Sequence, residues 1–124
     1  MKLLTAQAPA ADGTGVLTID NTQNVLALTL EGIERIDLHF PKFTDGRAFT
    51  QAVLLRKRLG FQGDIRATGD VLIDQLVHMQ RCGFSEAVLR ADQDIQHGQR
   101  LLQHFSGFYQ GDVQQPRPIF GRAA

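Results

Sequence analysis

The sequence has few of the residues that cross-link a small protein or bind a cofactor. It contains one cysteine, Cys82, no tryptophan and one tyrosine among 124 residues. A single cysteine excludes an internal disulfide and any metal or iron–sulfur site made from cysteines of one chain. We therefore expect a protein of the reducing cytoplasm with no metal and no cofactor.

The sequence also has no excess of positive or negative charge and no long apolar run. Lys+Arg and Asp+Glu are equal at 13 each, so no net field attracts nucleic acid or an anionic membrane. No apolar run approaches the roughly 18 residues that span a bilayer, and the N-terminal apolar run is too short for a signal peptide. A chain of this length can bury its own core, which predicts a single domain over 1–124.

The first 30 residues and the last 15 show little helical periodicity. Residues 7–15 are small, polar and glycine-rich, and 110–124 carry two prolines and two glycines, which predicts irregular tails at 1–15 and 110–124. The runs "VLTID" and "VLALTL" flank the turn-forming "NTQN". This pattern predicts an antiparallel hairpin over about 16–30.

From residue 35 onward, short strands alternate with helix-length segments. The predicted strands are "RIDLHF", "DIRAT" and "EAVLR", and the predicted helices cover 46–59, 70–82 and 93–106. Such alternation is typical of βαβ units with a parallel sheet. The predicted fold class is α/β, with an N-terminal β-hairpin followed by β-α-β-α-β-α units and a small parallel sheet.

The strands predict that the helices lie mainly on one face of this sheet. In "RIDLHF" apolar and polar side chains alternate, with Asp37 and His39 on the polar face, and Arg66 of "DIRAT" follows the same alternation. Strands covered on both faces are usually apolar throughout, so a polar face argues for a barrel-segment-like layout. The polar face then meets solvent, a ligand, the hairpin or another subunit, and Asp37 and His39 are candidate homodimer interface residues.

A short internal repeat supports the prediction of two successive strand–helix units in the centre of the chain. Gly60-Phe61 recurs as Gly83-Phe84 at an offset of 23 residues, each time at the end of a predicted helix. Glycine at this position favours a left-handed helix cap, and the following Phe can pack back on the helix end.

The candidate site lies where these strands end. "KFTDGR" follows one parallel strand and "TGD" the next, and ligands of parallel α/β folds bind at such carboxyl ends. Backbone N–H groups at helix starts favour an anion, and lysine and arginine can add charge-assisted contacts. The predicted binding residues are Lys42, Asp45, Arg47, Arg66, Thr68 and Asp70. Alternatively, these side chains have only structural roles: Thr44 or Asp45, and Thr68 or Asp70, cap their helices. Arg66 then forms an internal ion pair with Asp37, Asp70 or Asp74.

Residues 40–84 resemble a bacterial family called domain of unknown function 934. The resemblance rests on "FTDGR", "LRKRLGF" and "RATGDVLIDQL". It implies small proteins encoded beside assimilatory sulfite reductase, some of them labelled probable oxidoreductases of sulfite reduction. The implied partners are sulfite reductase, another sulfur-assimilation protein or a small oxyanion such as sulfite.

The oxidoreductase label fits the residues poorly. The sequence lacks GxSxG, P-loop, GxGxxG and HExxH motifs and a cluster-ligand pattern, so it has no evident means of holding siroheme, an iron–sulfur cluster, flavin or nicotinamide. We expect an accessory, non-catalytic protein that binds a partner or an oxyanion. The alternative is a small enzyme on a sulfur or phosphate compound, with Asp45 or Asp70 as general base.

Overall fold

The computed structural model describes residues 1–6, 15–42 and 44–105, and within this part it has five strands and three α-helices. The strands are Lys2–Leu4 (β1), Val16–Ile19 (β2), Arg35–Phe40 (β3), Asp64–Gly69 (β4) and Glu86–Val88 (β5). The helices are Arg47–Lys57 (α1), Leu76–Cys82 (α2) and Ile95–Phe105 (α3), with 3-10 turns at Val25–Ala27 and Ile73–Gln75. None of these helices is long and apolar enough to cross a bilayer.

All five strands are parallel, in the order β1-β5-β4-β3-β2. Because β3, β4 and β5 lie side by side in chain order, right-handed connections carry α1 and α2 across the same face. Helix α3 packs against α2 and β1 on that face, and Gly98 lets it approach closely enough that a Cβ there would lie 3.0 Å from Leu3 Cδ1. The predicted α/β fold with a parallel sheet and helices on one face is confirmed.

One row of the sheet register crosses all five strands on the helix side. Its members are Ile19, Leu38, Ala67, Ala87 and Leu3, all of them buried. Aromatic side chains fill the space between this face and the helices, with the ring of Phe40 5.1 Å from Phe49 and 5.8 Å from Phe84. This apolar layer is the core, and its burial is the main source of stability.

The neighbouring row, one residue earlier in each strand, is polar. It reads Thr18, Asp37, Arg66, Glu86 and Lys2 across the sheet. Side chains alternate between faces along a strand, so this row lies on the face away from the helices. We call it the open face, since none of the helices described here packs on it.

The predicted hairpin over 16–30 is wrong. Strand β2 pairs with β3 in parallel, and the second aliphatic run begins with the 3-10 turn at Val25–Ala27. Asn24 starts this turn, because its side chain accepts a hydrogen bond from Leu26 N. The turn directs Val25 into the core, where it is 1% exposed, instead of pairing the run with β2.

The expectation of an irregular segment over 1–15 misses β1. Lys2–Leu4 pairs with β5 and forms one edge of the sheet. A three-residue strand is too short for a periodic signal, and its pairing partner lies more than 80 residues away in the chain. Of the predicted tails, residues 7–14 and 110–124 lie outside the described residues.

The predicted left-handed cap is confirmed at Gly83, which is the C-cap residue of α2, whereas the C-cap of α1 is Arg58 and Gly60 follows two residues later. Gly60 and Gly83 both have positive φ, 65° and 114°. The chain then turns back, so that Phe61 N donates to Leu55 O and the ring of Phe61 is buried. In the second copy Phe84 N donates to Met79 O, and the side chain of Phe84 is fully buried.

Candidate functional site

The carboxyl ends of the parallel strands meet at one edge of the sheet, which we call the carboxyl edge. It comprises described residues that follow four strands: Asp20 and Asn21 after β2, Lys42 and 44–47 after β3, Asp70 after β4, and 90–92 after β5. The opposite edge, where the strands begin, is the amino edge. Lys42, Asp45, Arg47 and Asp70 of the predicted site all belong to the carboxyl edge.

Asp45 is the centre of a first cluster at this edge. Its Oδ2 accepts from Arg47 Nη2 at 2.8 Å and from Asn21 Nδ2 at 2.7 Å, while Oδ1 accepts from the Arg47 backbone N at 3.0 Å. The carboxylate thus satisfies a backbone N–H at the start of α1 and ties the loop after β2 to that helix. Asp45 therefore caps the start of α1, as the alternative interpretation expected, and also forms an ion pair with Arg47.

This ion pair sets the protonation of both groups. The hydrogen bonds from Arg47 lower the pKa of Asp45 to about 2, and the same contact raises the pKa of Arg47. A carboxylate with so low a pKa is a weak base at neutral pH, which does not suit a general base. The Arg47 side chain is 61% exposed and can reach a partner without leaving its place on α1.

Arg90 is the centre of a second cluster. Its Nη1 donates to Asp70 Oδ1 at 2.7 Å, and its Nε and Nη2 donate to the two carboxylate oxygens of Asp92 at 2.7 and 2.8 Å. The fork to Asp92 is bidentate, the geometry for which arginine is suited. It lowers the pKa of Asp92 to about 2 and raises the pKa of Arg90. The backbone N of Asp70 donates to Phe40 O at 2.8 Å and so ties the end of β4 to the end of β3.

Acidic groups outnumber basic groups at the carboxyl edge. Its carboxylates belong to Asp20, Asp45, Asp70 and Asp92. Its cations belong to Lys42, Arg47 and Arg90. Four carboxylates against three cations leave a formal charge of about −1 on a surface of mixed sign.

Arg66 and Thr68 lie apart from this edge, on the open face. Arg66 Nε donates to Glu86 Oε1 at 2.9 Å, and both side chains are about nine-tenths buried. Thr68 Oγ1 lies 3.5 Å from Nδ1 of His39, which is exposed. The predicted six-residue site is thus divided between the edge and the open face. The alternative for Arg66 was an internal ion pair with Asp37, Asp70 or Asp74, and the ion pair found here is with Glu86.

Asp37 also lies on the open face and is ion-paired. Arg35, two residues earlier on the same face of β3, donates through Nε to Asp37 Oδ1 at 2.9 Å. Asp37 and Arg66 face each other in the β3–β4 register, so opposite charges alternate along the row. The open face is therefore a strip of side-chain ion pairs lying along the sheet.

Sequence reasoning missed Asn21, Arg90, Asp92 and Glu86. The hairpin expectation placed Asn21 in a turn between two strands and so hid the carboxyl end of β2. Arg90 was assigned to the last position of a strand, whereas β5 ends at Val88. The signal that could have found Glu86 is the alternation already used for β3 and β4, because it shares the parity of Val88 on the open face.

Within residues 1–6, 15–42 and 44–105, no group of three or more His, Cys, Asp or Glu side chains is arranged to hold a metal ion.

The fold and the edge together define a small α/β protein whose parallel sheet carries helices on one face and a mixed-charge carboxyl edge. The family model described as "Bacterial protein of unknown function (DUF934)" matches residues 15–120. The chain belongs to this family, and the match contains both clusters of the carboxyl edge. No curated protein and no solved structure matches the chain.

Proposed function

We propose that this protein is an accessory, non-catalytic protein of assimilatory sulfite reduction in the cytoplasm. It docks on sulfite reductase, or on another protein of sulfur assimilation, through the carboxyl edge. The observation that carries the proposal is the pair of exposed ion-pair clusters centred on Asp45 and Arg90, which lie beyond the carboxyl ends of parallel strands. The sulfite setting rests on what the family resemblance implies.

The charges of the edge favour a protein surface over a small oxyanion as the ligand. Arg47 and Arg90 already bind carboxylates, so sulfite would have to displace Asp45 or Asp92 from bidentate contacts in an edge with acidic excess. A protein surface of mixed charge can add contacts to both signs without displacing either. Lys42, exposed and without an ion pair to any other described residue, is the cation best placed for an oxyanion.

The ionisation of Asp45 and Asp92 favours binding over general-base catalysis by these two groups. A general base works best with a pKa near the operating pH, whereas the pKa values of Asp45 and Asp92 are both about 2. Their carboxylates are ionised throughout the physiological range and hold arginines. They are suited to recognition by charge, which mainly sets the rate and specificity of docking.

A capture experiment tests the proposal. Tagged wild-type protein is used to capture partners from cells grown on sulfate as sole sulfur source, beside Arg47→Ala, Arg90→Ala and the control Arg58→Ala. Arg58 is exposed at the C-terminal end of α1, near the amino edge. Arg58→Ala therefore removes the same type of side chain as the edge variants do, but away from the carboxyl edge. We expect sulfite reductase in the wild-type and Arg58→Ala captures and much less with the edge variants, whose folding is checked by circular dichroism. Absence of every sulfur-assimilation protein from the wild-type capture would contradict the proposal.

A further inference from the structure

A small cleft opens beside Arg90 at the carboxyl ends of β1 and β5. Its volume is about 140 Å³. Four apolar residues line it: Ala6, Leu89, Ala91 and Ile95. Thr5, Arg90 and Gln93 complete the lining. The cleft therefore combines an apolar interior with a polar rim, and the rim includes the centre of the second ion-pair cluster.

The walls of the cleft are held by the backbone of neighbouring elements. Leu89 N donates to Leu4 O at 2.9 Å, and Arg90 N donates to Val71 O at 3.1 Å. The Gln93 side chain accepts from Ile73 N at 3.0 Å, which fixes the loop between β5 and α3 against the 3-10 turn. A cleft fixed from three directions is preformed, so a ligand loses little free energy in ordering it.

The volume of the cleft limits what it can hold. Sites for drug-sized molecules and cofactors usually enclose about 300–1,000 Å³, which this cleft does not reach. An apolar cavity of about 150 Å³ accepts a benzene-sized group. The cleft therefore fits one aliphatic or aromatic side chain, the type of group that anchors a protein interface in a pocket.

The charge of the rim indicates what should flank that side chain. Arg90 lines the cleft and is bound by Asp70 and Asp92. Two carboxylates bound to one guanidinium leave a formal charge of −1 beside the apolar interior. The Asp92 side chain is 59% exposed, so its charge is open to a partner. This rim complements a basic group.

We propose that the cleft is the anchor pocket of the carboxyl edge. It receives one aliphatic or aromatic side chain of an extended partner segment, and a Lys or Arg next to that side chain meets the acidic rim. This inference rests on the proposed docking function and names the segment that the docking surface recognises.

A peptide selection tests the pocket without any assumption about the partner. Random heptapeptides displayed on phage are selected on the immobilised full-length chain, and the affinity of the resulting consensus peptide is measured by fluorescence anisotropy. We expect selected peptides to carry an aliphatic or aromatic residue adjacent to Lys or Arg. Failure to enrich such peptides, or enrichment of acidic peptides, would overturn the proposal.

Two variants with matched controls locate the binding in the cleft. Ala91→Leu fills the cleft and should weaken the consensus peptide about tenfold or more, whereas Ala91→Ser keeps the cleft open and should stay within about twofold. Asp92→Lys reverses a rim charge and should weaken binding about fivefold, while Glu31→Lys, an exposed change near the amino edge, should not. Asp92 is exposed, so Asp92→Lys remains informative if Ala91→Leu destabilises the fold.

The outcomes separate the pocket from the docking function. If Ala91→Leu binds the consensus peptide as wild type does, the pocket proposal is wrong, whatever the capture experiment finds. If peptides bind the cleft and no sulfur-assimilation protein is captured, the pocket stands and the proposed setting fails.

Discussion

The two edges of the sheet use arginine in opposite ways. At the amino edge, Arg56 of α1 donates to three backbone carbonyls, those of Gly83, Phe61 and Gly63, at 2.7–2.9 Å. It is half-buried, and burial lowers its pKa. At the carboxyl edge, Arg90 is exposed, binds two carboxylates and has a raised pKa. The amino edge is therefore joined through the backbone, and the carboxyl edge presents its charges to the surroundings.

This contrast indicates that the amino edge stabilises the fold and the carboxyl edge is available for binding. Backbone carbonyls near the amino edge need partners wherever they are buried, so removing the donor there should destabilise the fold. Exposed ion pairs contribute little to stability, since water and salt screen them. We infer that the carboxyl edge can change its contacts on binding without loss of the fold.

The largest expected difference is in the free energy of unfolding, between alanine substitutions at one glycine near each edge. A Cβ on Gly63, near the amino edge, would lie 2.3 Å from Glu34 O and 2.6 Å from Phe61 Cζ, whereas a Cβ on Gly46 has no atom within 4 Å. Gly63→Ala should lower the free energy of unfolding by about 3 kcal/mol because the backbone must move. Gly46→Ala should change it by less than about 0.5 kcal/mol. Urea unfolding measures both, and equal values would contradict the contrast.

The next effect concerns the carbonyl contacts of Arg56. Arg56→Ala leaves three backbone carbonyls without this donor and should lower the free energy of unfolding by about 2 kcal/mol. Arg58→Ala, two residues later and exposed, is the matched control and should stay within about 0.5 kcal/mol. The same urea titration measures both variants. A stable Arg56→Ala protein would show that the amino edge is not held in this way.

A smaller effect is expected from pH at the carboxyl edge. The folded pKa of Asp45 is lowered to about 2 from an ordinary 3.8, chiefly by hydrogen bonds from Arg47. The stabilisation is therefore present above about pH 4 and is lost as the pH falls towards 2. In Arg47→Ala the pKa of Asp45 should rise towards 3.8, and this part of the acid sensitivity should disappear. Carboxyl carbon shifts followed by NMR from pH 5 to 1.5 give the pKa directly, and an unchanged value would argue against the ion pair.

The part of the fold that could be predicted from sequence is the part governed by local pattern. The strand predicted at "RIDLHF" is found at Arg35–Phe40, and its period of two correctly separated the core face from the open face. Strand β1 was missed because its pairing partner, β5, is far away in the chain. The parallel pairing of β2 with β3 was missed because the local pattern predicts a hairpin with the next aliphatic run. Local propensity carries no information on such pairing.

The same limit applies to the candidate site. Asp45 and Arg47 are two residues apart, so their proximity followed from the sequence. The contacts of Arg90 with Asp70 and of Arg66 with Glu86 each join residues 20 positions apart, on neighbouring strands or their ends. Only the register of the sheet brings these residues together. Sequence alone therefore located half of the carboxyl edge and assigned Arg66 to it, although Arg66 lies on the open face.

The most direct test of docking through the carboxyl edge is the affinity of the purified chain for purified assimilatory sulfite reductase, measured by isothermal titration calorimetry. Wild type is compared with the double variant Arg47→Ala/Arg90→Ala and with Arg58→Ala, all at one salt concentration. We predict saturable binding by wild type and Arg58→Ala, and binding at least about tenfold weaker by the folded double variant. No binding by wild type, or equal affinity of all three proteins, would contradict docking through this edge.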